Sequence, residues 1–220
     1  MEKAVLDFFK NSHVQELIEN NNFSELFDIT PGNIQQDVVT MLIRSGIDFT
    51  LYLKKIPPFT FTYIKLPELD LSKTNIEKLS YKSFYASGIR KIILPKTLNY
   101  IGSAAFTSSS LVSIEIPEGV QAIKNYTFQG CRYLEKIEIP ISVKQIVEAF
   151  TRCDALKYIT YKGTINDWKN IQKVGDTKFI TDRDIKVHCY DGITKYDDWE
   201  GYKTMLENDI IDYFQKPEVE

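Results

Sequence analysis

The middle of the chain repeats itself every 22 or 23 residues, and no other feature restricts its fold so strongly. One column is an apolar-x-apolar pattern whose starts lie 23, 22, 23 and 22 residues apart: Leu69–Leu71, Ile92–Leu94, Ile114–Ile116, Ile137–Ile139 and Ile159–Tyr161. A second column holds phenylalanines, each 22 residues after the last: Phe84, Phe106, Phe128 and Phe150. Two further columns are Leu79, Ile101, Ile123 and Ile146, and the prolines Pro95, Pro117 and Pro140. Columns in register predict a stack of equivalent coils.

The spacing within each coil indicates its shape. Alternating apolar residues form a short strand with one face inward, and a proline directly after it removes a donor and ends the strand. One coil cannot bury its own apolar face, so neighbouring coils must stack. We therefore expect a parallel sheet with strands about 4.8 Å apart, backed by a spine of phenylalanine rings.

The segment from Leu134 to Cys153 resembles a BspA-type leucine-rich repeat, and Leu111 to Cys131 gives the same reading. The stretch from Tyr161 to Cys189, with Trp168, is similar to the segment that closes such arrays. The resemblance covers roughly residues 61 to 190. It departs at the first unit, which lacks the strand proline, and at Ser109 or Ser110, where a cysteine or small residue is usual.

The predicted fold is an α/β solenoid, a right-handed leucine-rich-repeat arc with a short-strand parallel sheet, a helical N-terminal cap and a C-terminal helix. We divide the chain into a capping region (1–60), the solenoid (61–190) and an acidic C-terminal helix or tail (191–220). The tail carries nine acids and three lysines, against 24 basic and 21 acidic residues in the rest. Trp168 and Ile171 are expected to cover the last coil, and residues 196–215 have the spacing of an amphipathic helix.

Local signals place the helices of the capping region. Ser12-x-x-Gln15 has the form of a capping box, Thr30-Pro31 of a helix start, and Gly46 of a helix stop. Between the last two, one face is apolar: Ile34, Val38, Met41 and Leu42. Residues 49 to 64 alternate around Pro57-Pro58, which suggests a hairpin-like edge leading into the first repeat.

Composition and charge narrow the function classes. A net charge of −3 argues against a nucleic-acid binder, and no apolar run approaches the ~20 residues of a membrane helix. An odd count of three cysteines does not suggest disulfides, and Asp7 and Lys10 interrupt any leader-like start. The expected location is therefore cytoplasmic, or secreted or surface-exposed if a leader has been removed.

No catalytic constellation is recognisable. His188 and Cys189 are adjacent in a predicted strand, where neighbouring side chains point to opposite faces. Cys131 and Cys153 each follow a spine phenylalanine by three residues, which indicates stacked, buried thiols. We find no phosphate loop, nucleophile elbow or metal-ligand spacing. The sequence predicts no catalytic residue, no metal and no cofactor, and an enzyme remains open only if the N-terminal segment completes a site.

The outward strand positions are the predicted partner-binding surface: Asp70, Lys91, Ile93, Glu115, Lys136, Glu138, Tyr158, Thr160 and Lys186. The middle column of this surface is predicted to place Glu115 beside Glu138, and Thr160 beside Lys186. Like charges side by side cost stability. Either Lys91 and Lys136 neutralise the two acids, or a basic group of the partner does.

The function predicted from these features is a non-enzymatic protein-binding module that acts by steric capture. It would serve as an adaptor or as an inhibitor of another protein, for which a phage or mobile-element origin is one setting. The alternative is a bacterial surface or secreted adhesin, because the family resembled includes such proteins. The expected partner is another protein, with no nucleic acid and no membrane, and the chain is a monomer or a homodimer.

Overall fold

A computed structural model describes residues 2–32, 34–174 and 184–196 of the 220-residue chain. Its first part is helical, as predicted for the capping region. The helices are α1 (Glu2–Phe9), α2 (Ser12–Glu19), α3 (Phe23–Ile29), α4 (Gln35–Arg44) and a 3₁₀ helix (Phe49–Tyr52). Their apolar sides form one core, and the predicted face of α4 is buried at Ile34, Val38 and Leu42.

Two of the predicted helix starts are wrong, each by a short distance. Helix α2 is capped by Asn11, whose side-chain oxygen accepts hydrogen bonds from the backbone N–H groups of His13 and Val14. Ser12 is therefore the first helical residue and not the cap. Thr30 follows the end of α3, and its hydroxyl donates to the Leu26 carbonyl at 2.5 Å. Helix α4 begins only at Gln35.

The predicted stop at Gly46 is confirmed. Helix α4 ends at Arg44, and Gly46 has a left-handed φ of 73°. The Gly46 N–H donates to Ile43, and the Ile47 N–H donates back to Leu42, each at 3.0 Å. This double bond pattern satisfies the last carbonyls of a helix and favours glycine, because a side chain opposes positive φ.

Short strands fill the rest of the described chain. The first seven are β1 (Lys55–Ile56), β2 (Glu68–Asp70), β3 (Lys78–Leu79), β4 (Lys91–Ile93), β5 (Tyr100–Ile101), β6 (Ser113–Glu115) and β7 (Ala122–Ile123). The later elements are β8 (Lys136–Ile139), β9 (Gln145–Val147), β10 (Tyr158–Tyr161), helix α5 (Ile165–Lys169), β11 (Gln172–Val174), β12 (Lys186–Cys189) and β13 (Gly192–Lys195). Each repeat thus contributes one strand of the apolar-x-apolar column and one shorter strand.

The strands form the predicted parallel sheet. Seven are arranged in the order β13-β12-β10-β8-β6-β4-β2, and all neighbours are parallel except β12 and β13. The shorter strands form two three-stranded sheets, β1-β3-β5 and β7-β9-β11. The hairpin-like edge predicted for residues 49 to 64 is wrong, because β1 pairs in parallel with β3 as part of a repeat coil.

The phenylalanine spine is continuous and begins earlier than predicted. Centroids of successive rings lie 4.9 to 5.7 Å apart and their planes differ by 4 to 12°, from Phe61 through Phe84, Phe106 and Phe128 to Phe150. Phe61 precedes the predicted spine by one coil. Phe49 of the 3₁₀ helix stacks on Phe61 at 5.9 Å, which joins the helical core to the spine.

Every coil bends its backbone in the same two places. Two residues before and two residues after each spine phenylalanine, φ is positive, although only Gly130 among them is a glycine. These positions are Phe59, Lys82, Ala104, Tyr126 and Glu148 before the ring, and Tyr63, Ala86, Ser108, Gly130 and Arg152 after it. Stacking of the coils therefore imposes a conformation that L-residues resist locally.

The last coil is closed by aromatic residues. Trp168 and Ile171 are buried, as predicted, and Trp168 contacts Tyr161 and Tyr196 at centroid distances of 5.4 and 5.8 Å. Tyr196 also meets the final spine ring, Phe150, edge-on. Strand β13 was not predicted. The helix predicted for residues 196–215 lies, beyond Tyr196, outside the described residues.

Candidate functional site

One face of the seven-stranded sheet carries no covering layer among the described residues, and we call it the open face. Its residues form two rows set by the strand register. The lysine row is Glu68, Lys91, Ser113, Lys136, Tyr158 and Lys186. The acid row is Asp70, Ile93, Glu115, Glu138, Thr160 and His188. All nine predicted contact residues lie in these two rows.

The predicted neighbour of Thr160 is wrong. In the register of β12, Lys186 pairs with Tyr158 and His188 pairs with Thr160. The apolar pair Ile185 and Val187 suggested an alignment two residues away, but Val187 is the residue that pairs with the buried Ile159. Because the shift is two residues, Lys186 keeps its outward direction and only changes rows.

The two acids stand side by side, as predicted, and the protein itself neutralises them. Glu115 pairs with Glu138, and the Lys136 Nζ donates to Glu138 Oε1 at 3.0 Å. The second neutralising group is Lys162 and not Lys91: its Nζ lies 2.5 Å from Glu115 Oε1 and 4.0 Å from Glu138 Oε2. The hydrogen bond from Lys162 to Glu115 raises the pKa of the lysine, and the nearby acids add to this effect.

Two lysines of the lysine row remain without an ion pair among the described residues, Lys91 and Lys186. Near Lys91, hydrogen bonds from the Ser72 side chain and backbone lower the pKa of the Asp70 carboxyl, and the charges of Lys73 and Lys91 contribute less. Asp70 therefore stays ionised, and its hydrogen bonds are made to Ser72. The open face offers unpaired positive charge and engaged negative charge.

An apolar patch lies at the β10–β12–β13 end of the open face. Tyr158 is 48% exposed and meets the ring of half-buried His188 edge-on at 5.8 Å. Ile193 of β13 pairs with His188 and is 60% exposed. Sequence reasoning missed Ile193 because β13 lies outside the repeat pattern and pairs in the opposite direction.

The cysteines have the character of core residues. The thiols of Cys131 and Cys153 donate to the Phe106 and Phe128 carbonyls, each at 3.0 Å, one coil apart. Burial raises the pKa of Cys131 to about 12 and that of half-buried Cys189 to about 11. A thiol with a raised pKa is a poor nucleophile at neutral pH. Ser109 occupies the equivalent place one coil earlier, 3.3 Å from the Cys131 sulfur.

Metal-ligating side chains are dispersed in the described residues, where no three of His, Cys, Asp and Glu gather closely enough to hold an ion. His13 lies 3.4 Å from Glu25 and 3.8 Å from Glu16, all on exposed helix surface. In the same part of the chain, no helix is both long and apolar enough to cross a membrane.

Comparison with known proteins identifies the repeats. Six copies of the BspA type leucine rich repeat region match residues 54–179, more than half of the chain. The chain belongs to the BspA-type leucine-rich-repeat family. The matched region starts at the residue before β1, which agrees with the parallel pairing of β1 and with Phe61 as the first ring of the spine. Repeats of this kind build extended surfaces for binding.

Two solved structures resemble this BspA-type protein. A leucine rich cell surface protein from Faecalibacterium prausnitzii A2-165 is 27% identical, with a TM-score of 0.44 over 55% of this chain and 32% of that one. A leucine-rich repeat protein from Bacteroides ovatus ATCC 8483 is 17% identical, with a TM-score of 0.33 over 57% of this chain and 50% of that one. The chain thus spans half or less of either structure. No curated protein matches it.

Proposed function

We propose that the protein binds another protein through the open face of its seven-stranded sheet and acts by steric capture, as an adaptor or an inhibitor. The observation that carries the proposal is the charge arrangement of this face. Lys91 and Lys186 lack an ion pair among the described residues, whereas Glu115 and Glu138 are held by Lys162 and Lys136. The complementary partner surface is acidic.

The internal ion pairs argue against a basic partner group at Glu115 and Glu138. A basic group that approached them would have to displace Lys162 or Lys136. An acidic group opposite the lysine row meets no such competition at Lys91 or Lys186. Complementary charges of this kind raise the association rate and select partners more than they raise affinity.

The apolar patch supplies the anchor that charge alone does not. Exposed aromatic and aliphatic side chains at the centre of an interface carry most of the binding energy. Tyr158 lies between Lys136 and Lys186 in the lysine row, and Ile193 lies beside His188. We therefore expect the acidic segment of the partner to present an apolar side chain that packs between Tyr158 and Ile193.

The open face has the dimensions of a protein interface. Seven strands at about 4.8 Å per step span roughly 29 Å. With the adjoining loops, this length matches the ~800 Å² that each partner buries in a standard complex. The proposed contact set is the nine predicted residues together with His188 and Ile193: Asp70, Lys91, Ile93, Glu115, Lys136, Glu138, Tyr158, Thr160, Lys186, His188 and Ile193.

The test compares two variants that carry the same change in charge. The face variant combines Lys91→Glu, Lys186→Glu and Tyr158→Ala. The control combines Lys55→Glu, Lys78→Glu and Tyr81→Ala, which are exposed residues of the β1-β3-β5 sheet and the turn after it. Each protein is used for affinity capture from a lysate of the encoding organism, after circular dichroism has shown that it is folded.

We expect the wild type and the control to retain the same protein and the face variant to lose it. A photocrosslinking phenylalanine derivative in place of Tyr158 should then form a covalent adduct with that protein, and the same derivative in place of Tyr81 should not. Equal retention by both variants would place the binding surface elsewhere on the chain. Loss in the control alone would also contradict the proposal.

A further inference from the structure

A pocket of about 340 Å³ opens on the turn side of the solenoid, between three successive coils. Its walls come from the segments that follow the spine rings Phe106, Phe128 and Phe150. None of the open-face residues contributes to it. The residues that matter for its chemistry are Ser108, Ser110, Gly130, Arg132, Tyr133 and Arg152.

The pocket exists because a glycine interrupts a column of side chains. Ser108, Gly130 and Arg152 occupy one column with φ of 59, 69 and 59°. The Ser108 N–H donates to Gln129 at 2.7 Å, and the Gly130 N–H donates to Thr151 at 2.8 Å, so the three coils are in register. A Cβ on Gly130 would lie 3.1 Å from the Ser108 hydroxyl oxygen. The missing side chain leaves a gap between Ser108 and Arg152.

An extra residue widens this gap. Three positions separate Ser108 from buried Leu111, whereas four separate Gly130 from the equivalent Leu134. The longer loop turns tightly, with the Arg132 N–H donating to the Gly130 carbonyl at 2.8 Å. It displays Arg132 and Tyr133 on the surface, where the tyrosine is 64% exposed. Both side chains line the pocket.

The polar groups of the pocket are unengaged donors. Arg132 and Arg152 are two of the five arginines of the protein, and neither makes an ion pair with another described residue. The hydroxyls of Ser108 and Ser110 likewise have no hydrogen-bond partner in the described part of the chain. Two guanidinium groups and two hydroxyls around one concavity are the donor set that binds a phosphate, since arginine matches phosphate oxygens with paired N–H groups.

We infer that this pocket binds a phosphate monoester. Such a group carries a charge of about −1.5 to −2 at neutral pH, which two arginines match, whereas a sulfate monoester carries a single charge. The volume calls for more than the anion: at ~30 Å³ per water, 340 Å³ holds about eleven waters (340/30). The organic part of the ester occupies this remaining space against the ring of Tyr133. The site is separate from the open face and does not depend on its function.

The experiment titrates the full-length protein with phenyl phosphate, phenyl sulfate and inorganic phosphate and follows backbone amide NMR signals. We expect phenyl phosphate to shift the signals of Ser110, Gly130 and Arg132 and to bind more tightly than the other two probes. Arg132→Ala and Arg152→Ala should each weaken its binding about tenfold, because each removes a charged hydrogen-bond donor. Lowering the pH below about 6 should weaken phenyl phosphate and leave phenyl sulfate unchanged.

Arg44→Ala is the matched control, because it removes the same charge from helix α4. It should leave phenyl phosphate binding unchanged. Equal weakening in this control would show attraction by net charge alone and overturn the inference. The absence of shifts at the pocket amides, or inorganic phosphate binding as tightly as phenyl phosphate, would overturn it as well. Melting temperatures of the three variants check that each is folded.

Discussion

The helical cap, from α1 to the 3₁₀ helix, and the repeat body, from β1 to β11, bury similar residues in different ways. In the cap, Phe49 meets Phe23 at an interplanar angle of 49° and Phe27 at 63°. In the body, the rings from Phe61 to Phe150 are within 12° of parallel. Packing in the cap is individual, whereas packing in the body is one arrangement translated along an axis.

The backbones of the two regions differ in the same sense. In the cap, local chemistry decides: asparagines start α2 and α3, and Gly46 follows the end of α4. In the body, Lys82, Ala104 and Tyr126 all have positive φ despite their different side chains. Hydrogen bonds between coils and the stacked rings override local preference there. Neighbouring coils therefore determine the conformation of the body, and each segment determines its own in the cap.

Removal of one ring should show this difference most strongly. Phe106→Ala takes a fully buried ring from between two stacked neighbours, 5.1 and 5.6 Å away. We expect it to lower the free energy of unfolding by about 4 kcal/mol, and Phe27→Ala in the cap by about 3 kcal/mol, because irregular packing collapses more easily into a cavity. Urea unfolding measures both. An equal or larger loss in the cap would break the comparison.

Adding a single methyl group should separate the regions next. A Cβ on Gly102 would lie 2.8 Å from the Ser80 carbonyl carbon and the Tyr81 nitrogen, which are backbone atoms of the preceding coil. We expect Gly102→Ala to cost about 2 kcal/mol, because the stacked coils cannot move apart locally. Gly32→Ala is the control in the cap, where nothing lies within 4 Å. Its effect should stay within about 0.5 kcal/mol, and a similar loss in both would contradict close coil stacking.

The same difference explains what the sequence predicted. The period appears five times in the chain, so an error in one coil is corrected by the others, and the parallel sheet, the spine and the Glu115–Glu138 pair were all placed correctly. A helix start appears once and has near-equivalents: Asn11 and Ser12 are both good caps, and only the hydrogen bonds distinguish them. The BspA-type family and its fold were therefore predictable, and the cap boundaries were not.

The open face was predicted less completely than the fold. Its rows follow from strand alternation, which is local, but the partners of its charges are not. Lys162 reaches Glu115 across 47 residues of sequence, and no repeat column points to this pair. The register of β12 and the presence of Ile193 depend on an antiparallel strand outside the period. The pocket at Gly130 depends on an insertion of one residue, which a periodic pattern treats as noise.

Helix α5 is a locally determined element within the repeat region, and its cap should behave as the caps of the first region do. The Asp167 N–H donates to the Thr164 hydroxyl at 3.1 Å, and the Thr164 N–H donates to the Asp167 carboxylate at 2.9 Å. We expect Thr164→Ala to lower the free energy of unfolding by about 1 kcal/mol. Ser142→Ala, a half-buried turn position, is a control whose loss should be smaller.

The pH dependence of this cap has a defined sign. Hydrogen bonds from Thr164 lower the pKa of Asp167 below its ordinary 3.8. Its contribution to stability is therefore fully present above pH 3.8 and is lost as the pH falls through the lower, folded-state pKa. The difference in unfolding free energy between wild type and Asp167→Asn should shrink as the solution is acidified. A constant difference would mean that the carboxylate charge plays no part in the cap.

The smallest expected effect is also the sharpest test, because the same substitution should have opposite signs at two places in the repeat body. Ala86 has a φ of 49°, where an L-residue costs about 1–2 kcal/mol, while glycine costs about 0.5–1 kcal/mol in chain entropy. We therefore expect Ala86→Gly to raise the free energy of unfolding by about 0.5 kcal/mol. Ala122→Gly, in strand β7, should lower it by a similar amount, since a strand gains nothing from left-handed freedom. A gain at Ala86 would show that the coils hold their left-handed residues against local strain. A loss at both positions would mean that the methyl group of Ala86 contributes more through packing than it costs through conformation, and that the body follows side-chain preference as the cap does.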